Sequence, residues 1–161
     1  MVIKKIKPVK LTSDNFCTYG KVIYTDGDHD NLINQGNSKT WSNLLNFEGK
    51  INMGILKTKS INPIQYLERH ILTEYQIFIP LNNKESLLVV AEDNKEVFDE
   101  SNPKFFLMKG NQGIVIKSKI WHHTLFPLKG EQEYLLINCG GKFPPDVETN
   151  KFHHPIRFEI I

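Results

Sequence analysis

Short apolar stretches separated by turn-forming residues recur through most of this 161-residue chain. Valine, isoleucine and aromatic residues are frequent in them, and no second long helix signal accompanies the one near the N-terminus. Strands a few residues long between turn formers are typical of all-β proteins. The pattern therefore predicts an all-β fold, an antiparallel barrel or sandwich. The clearest stretches are NMGILKT, YQIFIPL, SLLVVAE, FFLMKG, GIVIKSKIWHHTLF and EYLLINCGG.

The segment LTSDNFCTYG carries the clearest helix signal. Thr12 or Ser13 can cap a first turn, and Gly20 can end the helix one or two turns later. KVIY then begins a strand, and the polar, glycine- and asparagine-rich residues 26–40 predict a loop. Since no repeat, low-complexity tract or linker divides the chain, we expect residues 1–161 to form one domain.

Composition excludes several partners. The chain has 20 Lys+Arg against 18 Asp+Glu, a net charge of +2, without a basic block that would indicate nucleic acid. No apolar run approaches the ~20 residues of a membrane-spanning helix, and no secretory signal pattern is present. Two cysteines, Cys17 and Cys139, suggest neither a disulfide framework nor a structural zinc site. We therefore expect a cytoplasmic protein that binds neither nucleic acid nor membrane.

Two adjacent histidines lie within the strand-like stretch KSKIWHHTLFPL. Successive side chains on a strand point to opposite faces, so His122 and His123 cannot both face one pocket. The stretch resembles the second half-motif of cupin barrels, Pro-x-Gly-x-x-His, with only the histidine kept. That resemblance implies a cupin-type barrel in which His122 points inward while Trp121 and His123 point outward.

The same resemblance raises the question of a metal ion. Gln76 stands where cupins carry a metal-binding glutamate, and His70 lies near the usual ligand spacing. If a divalent metal ion is present, its ligands would be His122, His70 and Glu74. The alternative is a hydrogen-bonded core or rim histidine, which is the commoner role of an isolated histidine on a strand.

Six segments carry a further resemblance: LTSDNFCTYGKVI, INQG, LERH, QIFIPL, GIVIKSKIWHHTLFPL and INCGG. Taken in order, they resemble the ureidoglycolate lyase family, formerly ureidoglycolate hydrolase. The resemblance covers most of the chain and implies release of urea and glyoxylate from ureidoglycolate in allantoin and purine breakdown, by a homodimer.

Some positions depart from the family pattern. Lys117 stands for a family histidine, Thr124 for a proline, and Asn138 and Cys139 for an Asp-Arg pair. These departures keep two alternatives open: a cupin enzyme acting on another small hydroxy or keto acid, and a non-catalytic cupin that binds a metabolite. They also lead us to expect that Lys117 compensates for the missing arginine.

The reaction implied by the resemblance needs a base for the substrate hydroxyl, an acid for the departing nitrogen and a cation for the carboxylate. His122 is the candidate base, and His70 or Glu74 the candidate acid. Arg69 could grip the carboxylate as a fork, or instead pair with Glu68 or a C-terminal carbonyl. The remaining candidates for substrate binding are Lys117, Gln76 and Asn34, of which Asn34 could equally cap its own turn.

Overall fold

The computed structural model of the chain describes residues 3–24, 32–42, 44–92, 98–141 and 146–161. Nearly all regular structure in these ranges is β-strand. The elements are β1 (Lys4–Ile6), β2 (Val9–Lys10), α1 (Ser13–Phe16), β3 (Gly20–Ile23), β4 (Leu32–Gln35), β5 (Ser38–Trp41), β6 (Ile51–Lys59), β7 (Ile64–Arg69), β8 (Thr73–Pro80), β9 (Ser86–Ala91), β10 (Lys104–Met108), β11 (Gly113–Lys117), β12 (Trp121–Pro127), β13 (Glu131–Gly140), β14 (Glu148–Ile156) and β15 (Phe158–Ile160).

Two large sheets pack face to face. One has six strands in the order β14-β7-β12-β9-β10-β2, and the other has five in the order β3-β11-β8-β13-β6. Every pairing within them is antiparallel except that of β10 with β2, and the small β1–β15 pair is also parallel. The predicted all-β antiparallel barrel or sandwich is confirmed. No helix of the described ranges is long and apolar enough to cross a membrane.

The main core lies between the two sheets. Because side chains alternate along a strand, each sheet sends every second residue into this layer. The other face of the six-stranded sheet is also covered, by Ile6, Phe98, Phe152 and Phe158. For that reason all six residues of the central strand β9 are buried. The residues of β8 to β13 that meet between the sheets include Phe78, Leu88, Val90, Phe106, Met108, Ile114, Ile116, Leu125 and Tyr134.

The short N-terminal helix is confirmed, with a different end. The Thr12 hydroxyl accepts from the backbone N–H of Asn15 at 3.3 Å, and the Asn15 side chain accepts from the Thr12 N–H at 3.0 Å. This reciprocal cap starts a single turn that buries Phe16. Gly20 does not end the helix but begins β3, where a Cβ atom would lie 1.7 Å from the Val115 carbonyl oxygen. The glycine is needed for this close strand approach.

The loop predicted over residues 26–40 is partly wrong. Residues 32–41 form the β4–β5 hairpin, which turns at Gly36 with a φ of 59°. The Ser38 hydroxyl donates to the Gln35 carbonyl across this turn. Residues 26–31, the rest of the predicted loop, lie outside the described ranges. A glycine turn between two strands thus accounts for the composition that suggested a loop.

Candidate active site

The two adjacent histidines occupy opposite faces of β12, as predicted. His122 lies directly opposite Glu68 on β7 and Val90 on β9. Directly opposed residues of antiparallel strands share a face, and Val90 belongs to the core between the sheets. His122 and Glu68 therefore face the interior of the sandwich. His123 lies opposite Val89, which packs in the outer cluster.

His123 is nevertheless buried, because the outer face of this sheet is covered. Its ring lies 5.5 Å from the ring of Tyr66 and 5.4 Å from that of Phe126, measured between centroids. Its Nδ1 donates to the carbonyl of Thr124 at 2.7 Å. Burial lowers the pKa of His123, so near neutral pH it is an uncharged packing residue.

A second histidine joins His122 at the interior face. His70 follows directly after β7, and its ring centroid lies 5.6 Å from that of His122. One ligand-type atom each of Glu68, His70 and His122 lies within 4.8 Å of the others. The exposed fraction is 5% for His70 and 1% for His122. Two imidazoles and a carboxylate thus converge in a nearly enclosed place.

Hydrogen bonds fix which ring nitrogen faces this place. Nδ1 of His122 donates to the carbonyl of Ile120 at 2.8 Å, and Nδ1 of His70 donates to the carbonyl of Asp146. A neutral imidazole with its proton on Nδ1 carries a lone pair on Nε2. Both Nε2 atoms are buried without a partner among the described residues. Nε2 of His123 also lacks a partner among the described residues, but it lies on the outer face of the sheet. At the interior face, the two lone pairs of His70 and His122 converge with the carboxylate of Glu68.

The electrostatics keep His122 neutral. Burial lowers its pKa to about 4, although the Glu68 carboxylate and the Ile120 carbonyl act in the opposite direction. Nε2 of His122 and Oε1 of Glu68 are 4.0 Å apart, too far for a hydrogen bond. Because the imidazole of His122 is neutral, the two groups do not form an ion pair.

The carboxylate of the cluster differs from the one that the sequence suggested. Glu74 is exposed on β8, so the structure does not bring it into the cluster. Glu68 takes that place, and its Oε1 accepts a hydrogen bond from the Thr124 hydroxyl at 2.9 Å. The signal was available in the sequence, since Glu68 and His70 are two residues apart and an extended chain puts such residues on one face.

The facing sheet supplies a polar pair. Gln76 lies opposite Ile116 of the core and opposite Asn138 on β13, so both amides face the interior. Nε2 of Gln76 donates to Oδ1 of Asn138 at 3.0 Å, and Oε1 of Gln76 is buried without a partner in the described ranges.

A backbone hydrogen bond links this sheet to the histidine cluster. The backbone N–H of Lys119 donates to the carbonyl of His70 at 2.8 Å. Lys119 belongs to the connection from β11 to β12, and β11 pairs with Gln76 near its end. The bond therefore holds this end of the five-stranded sheet close to the histidine cluster.

Arg69, which we expected to bind substrate, faces away from the cluster. Its neighbours on either side point inward, so strand alternation sends the guanidinium to the outer face. There Nε donates to Oε2 of Glu148 at 2.8 Å, and the guanidinium carbon lies 4.5 Å from the ring centroid of Trp121. Arg69 thus pairs within the protein, but with Glu148 rather than with the expected Glu68 or C-terminal carbonyl.

Lys117 also faces away. Its Nζ donates to the carbonyls of Cys17 and Thr18 at 2.8 and 3.4 Å, just after the helix. Ile116 beside it points into the core, so Lys117 must point outward. Alternation from Asn138 likewise turns Cys139 to the outer face. The structure does not bring Lys117 to the cluster, so it gives no support to the expected compensation.

Asn34 is not brought to the cluster either. It is exposed on β4, opposite Lys39 of β5, and β4 pairs with no other strand of the described ranges. Its role in substrate binding stays a prediction.

Comparison with known proteins shows which family the chain belongs to. The family profile described as Ureidoglycolate lyase matches residues 3–159. The chain belongs to the ureidoglycolate lyase family. A ureidoglycolate lyase of Brucella anthropi is 34% identical over 143 residues, covering 82% of this chain and 81% of its own. A ureidoglycolate lyase of Escherichia coli O6:H1 is 32% identical over 153 residues, covering 90% and 94%.

One solved structure similar to this member of the ureidoglycolate lyase family is the epimerase RmlC from Legionella pneumophila, bound to a dTDP-keto-sugar. It has a TM-score of 0.46 and 11% identity, and the match covers 77% of this chain and 73% of that one. Two segments that carry the family resemblance lie side by side: Glu68–His70 at the end of β7 and Trp121–His123 on the neighbouring strand β12. They therefore meet at the cluster that we regard as the candidate active site.

Proposed function

We propose that this protein cleaves ureidoglycolate to glyoxylate and urea, a step of allantoin and purine breakdown, at the cluster of Glu68, His70 and His122. The observation that supports it most is the convergence of two imidazole lone pairs and a carboxylate within 4.8 Å. The identity of the substrate is inferred from membership of the ureidoglycolate lyase family. The substrate carbon bears a hydroxyl, a carboxylate and a ureido nitrogen, so cleavage needs proton transfer rather than a nucleophile.

The chain's own groups can balance this reaction. Nε2 of the neutral His122 accepts the hydroxyl proton as the C–O bond becomes a carbonyl and the C–N bond breaks. The same proton then passes to the departing nitrogen, which leaves as urea. The Nδ1–H of His70 already donates to a carbonyl, and Glu74 is exposed. Neither residue can therefore act as the acid that protonates the departing nitrogen. A positioned proton acceptor of this kind contributes ~10²–10⁴ in rate.

The donor set also fits a divalent transition-metal ion. Two Nε2 atoms with lone pairs, both lacking partners among the described residues, stand beside one carboxylate, a combination that open metal sites use. Glu68, His70 and His122 would hold the ion. When bound, it would supply Lewis-acid stabilisation to a substrate oxygen, and the imidazoles would then serve as ligands.

Gln76 is the proposed substrate-binding residue of the facing sheet. Its Oε1 is a buried acceptor without a partner in the described ranges, and such a group is costly unless a ligand or water satisfies it. A ureido group offers N–H donors that suit this acceptor. Asn138 fixes the amide orientation, because it accepts from Nε2 and leaves Oε1 to face the ligand.

A panel of small hydroxy acids tests the substrate. We expect purified protein to release urea and glyoxylate from ureidoglycolate, with Zn²⁺ and with a chelator compared. The second candidate is action on another small hydroxy or keto acid, favoured by the neutral Asn138 where the family carries an aspartate. Turnover of another acid without urea release from ureidoglycolate would favour that candidate. Ligand-induced stabilisation without any turnover would indicate a metabolite-binding protein.

The homodimer implied by the family is proposed to form through the outer face of the five-stranded sheet. On β6, Ile51, Met53 and Ile55 are 62%, 67% and 63% exposed. With the outward residues of β13 and β8 they form an apolar area on the order of 300 Å², from strand spacing and rise. The largest apolar patch on a protein surface is often a functional one. Lys57, Lys59, Glu131 and Glu133 form a rim of both signs beside it, as in protein interfaces.

The oligomeric state tests this surface. Sedimentation of the wild type is expected to give a dimer, and Ile55→Asp a monomer. Ile3→Asp is a matched control, since Ile3 is 59% exposed outside the sheet face. A monomeric wild type, or an Ile55→Asp variant that stays dimeric, would refute the proposed interface.

A cytoplasmic location and a single domain remain predictions beside this proposal. Cys17 and Cys139 are free thiols, which suits a reducing compartment.

A further inference from the structure

Asp146 contacts the turn between β7 and β8 at several points. Its backbone carbonyl accepts from Nδ1 of His70. Its carboxylate oxygen Oδ2 accepts from the backbone N–H groups of Ile71 at 2.6 Å and Leu72 at 2.9 Å, and Oδ1 accepts from the Thr73 hydroxyl at 3.3 Å. One residue therefore binds both the ring of His70 and the backbone that follows it.

The same turn is held from the other side by groups that do not touch the ring. The Ser118 hydroxyl donates to the carbonyls of His70 and Ile71, and the N–H of Lys119 donates to the carbonyl of His70. These bonds fix the backbone. The described structure shows one hydrogen bond on the imidazole of His70, the bond to the carbonyl of Asp146, and Nε2 has none. The tautomer of His70 therefore depends on where Asp146 holds that carbonyl.

We propose that Asp146 is a positioning residue, which uses its side chain to hold its own backbone carbonyl against Nδ1 of His70 and so keeps the Nε2 lone pair directed at Glu68 and His122. The proposal rests on the proposed function of this cluster. Because the carbonyl is a hydrogen-bond acceptor, Nδ1 must carry the proton. Outer groups that orient a ligating histidine in this way typically change metal affinity 10–100-fold when they are lost.

The carboxylate and the carbonyl act together. Without the carboxylate, residue 146 loses its three anchors on residues 71–73. The nearest tie that remains is two residues further on, where Glu148 of β14 pairs with Arg69 of β7, and it does not contact the ring. The proton can then move to Nε2, which removes the lone pair from the cluster. Asp146→Asn keeps one side-chain oxygen as an acceptor, so this variant should lie between the wild type and Asp146→Ala.

Glu148 provides a matched control. It lies two residues further along the same segment and is also acidic, but it pairs with Arg69 on the outer face of the sheet. Glu148→Ala thus removes a carboxylate and an ion pair without touching His70. A loss of stability alone should appear in both variants, whereas a change at the ring of His70 should appear only in Asp146→Ala.

Two measurements on the full chain test the proposal. Long-range ¹H–¹⁵N spectra of the metal-free protein report the His70 tautomer, and calorimetry with Zn²⁺, which is diamagnetic, reports the affinity of the cluster. We expect a pure Nδ1–H tautomer in the wild type and Glu148→Ala, a mixture in Asp146→Ala, and a 10–100-fold weaker Zn²⁺ affinity in that variant.

The outcomes separate this proposal from the function it rests on. A pure Nδ1–H tautomer in Asp146→Ala, or a Zn²⁺ affinity equal to that of Glu148→Ala, would overturn the positioning role. If the wild type binds no Zn²⁺, the metal hypothesis fails while the tautomer still decides the role of Asp146. If Asp146→Ala does not fold, Asp146→Asn decides it, by a partial tautomer shift or by none.

Discussion

Replacement of His122 should remove a defined part of the pH dependence of stability. Burial lowers the pKa of His122 to about 4 in the folded protein, against 6.5 for an ordinary histidine. Between these values the unfolded chain binds more protons than the folded one, so the free energy of unfolding rises with pH. Stability is fully present above pH 6.5 and falls as the pH drops toward 4.

The size of this effect follows from the two values. Each pKa unit corresponds to 1.36 kcal/mol, so the complete shift amounts to about 3 kcal/mol, and about 2 kcal/mol of it is lost between pH 8 and pH 5. The lowered pKa of His123 acts in the same direction. It is present in both the wild type and a His122 variant, so it cancels when the two are compared.

Urea denaturation at pH 8 and pH 5, with a chelator present, measures the effect. We expect the wild type to lose about 2 kcal/mol more than His122→Gln over this interval. Gln is neutral at both pH values, so its own cost to stability is the same at each. Equal losses in the two proteins would show that His122 is not a buried neutral histidine, and the description of the cluster would then be wrong.

Three further substitutions test the placement of the other residues. Lys117→Ala should leave glyoxylate affinity unchanged in calorimetry and cost under about 1 kcal/mol of stability, because its bonds are exposed; a tenfold loss of affinity would return Lys117 to the site. Arg69→Ala should cost about 2 kcal/mol in urea denaturation, through the lost bond to Glu148, while KM stays within twofold; a KM raised tenfold would contradict its outward placement. Glu68→Gln should weaken Zn²⁺ binding by more than the ~10–100-fold typical of an outer group; an unchanged affinity would exclude Glu68 as a ligand.

Strand alternation made much of the fold and the orientation of His122 predictable. The period of two is a local property, so the short apolar stretches indicated strands and the His122–His123 pair had to divide between two faces. The cap at Thr12 was local as well. The same rule would have turned Arg69 and Lys117 outward, because each lies next to a residue that faces the interior. The resemblance to a family motif indicates the type of residue at position 69 but not the direction in which its side chain points.

The spacing of Glu68 and His70 puts the two on one face, but local pattern does not show that this face meets His122. The choice of Glu68 over Glu74 depends on β7 being the strand beside β12, which is a matter of topology. Asp146 lies far along the chain from His70, and nothing in the sequence near either residue links them. Long-range pairing of this kind is set by the whole fold rather than by residue preferences.

The most direct test of the proposed active site compares two histidine variants in the cleavage of ureidoglycolate. His122 is buried in the cluster, whereas His153 is exposed and bonds to Glu100 on the surface. Urea and glyoxylate release should occur in equal amounts in the wild type. We predict that His122→Gln lowers kcat/KM by ~10²-fold or more, and that His153→Gln leaves it within twofold. Equal kcat/KM values for the two variants would contradict catalysis at the Glu68–His70–His122 cluster.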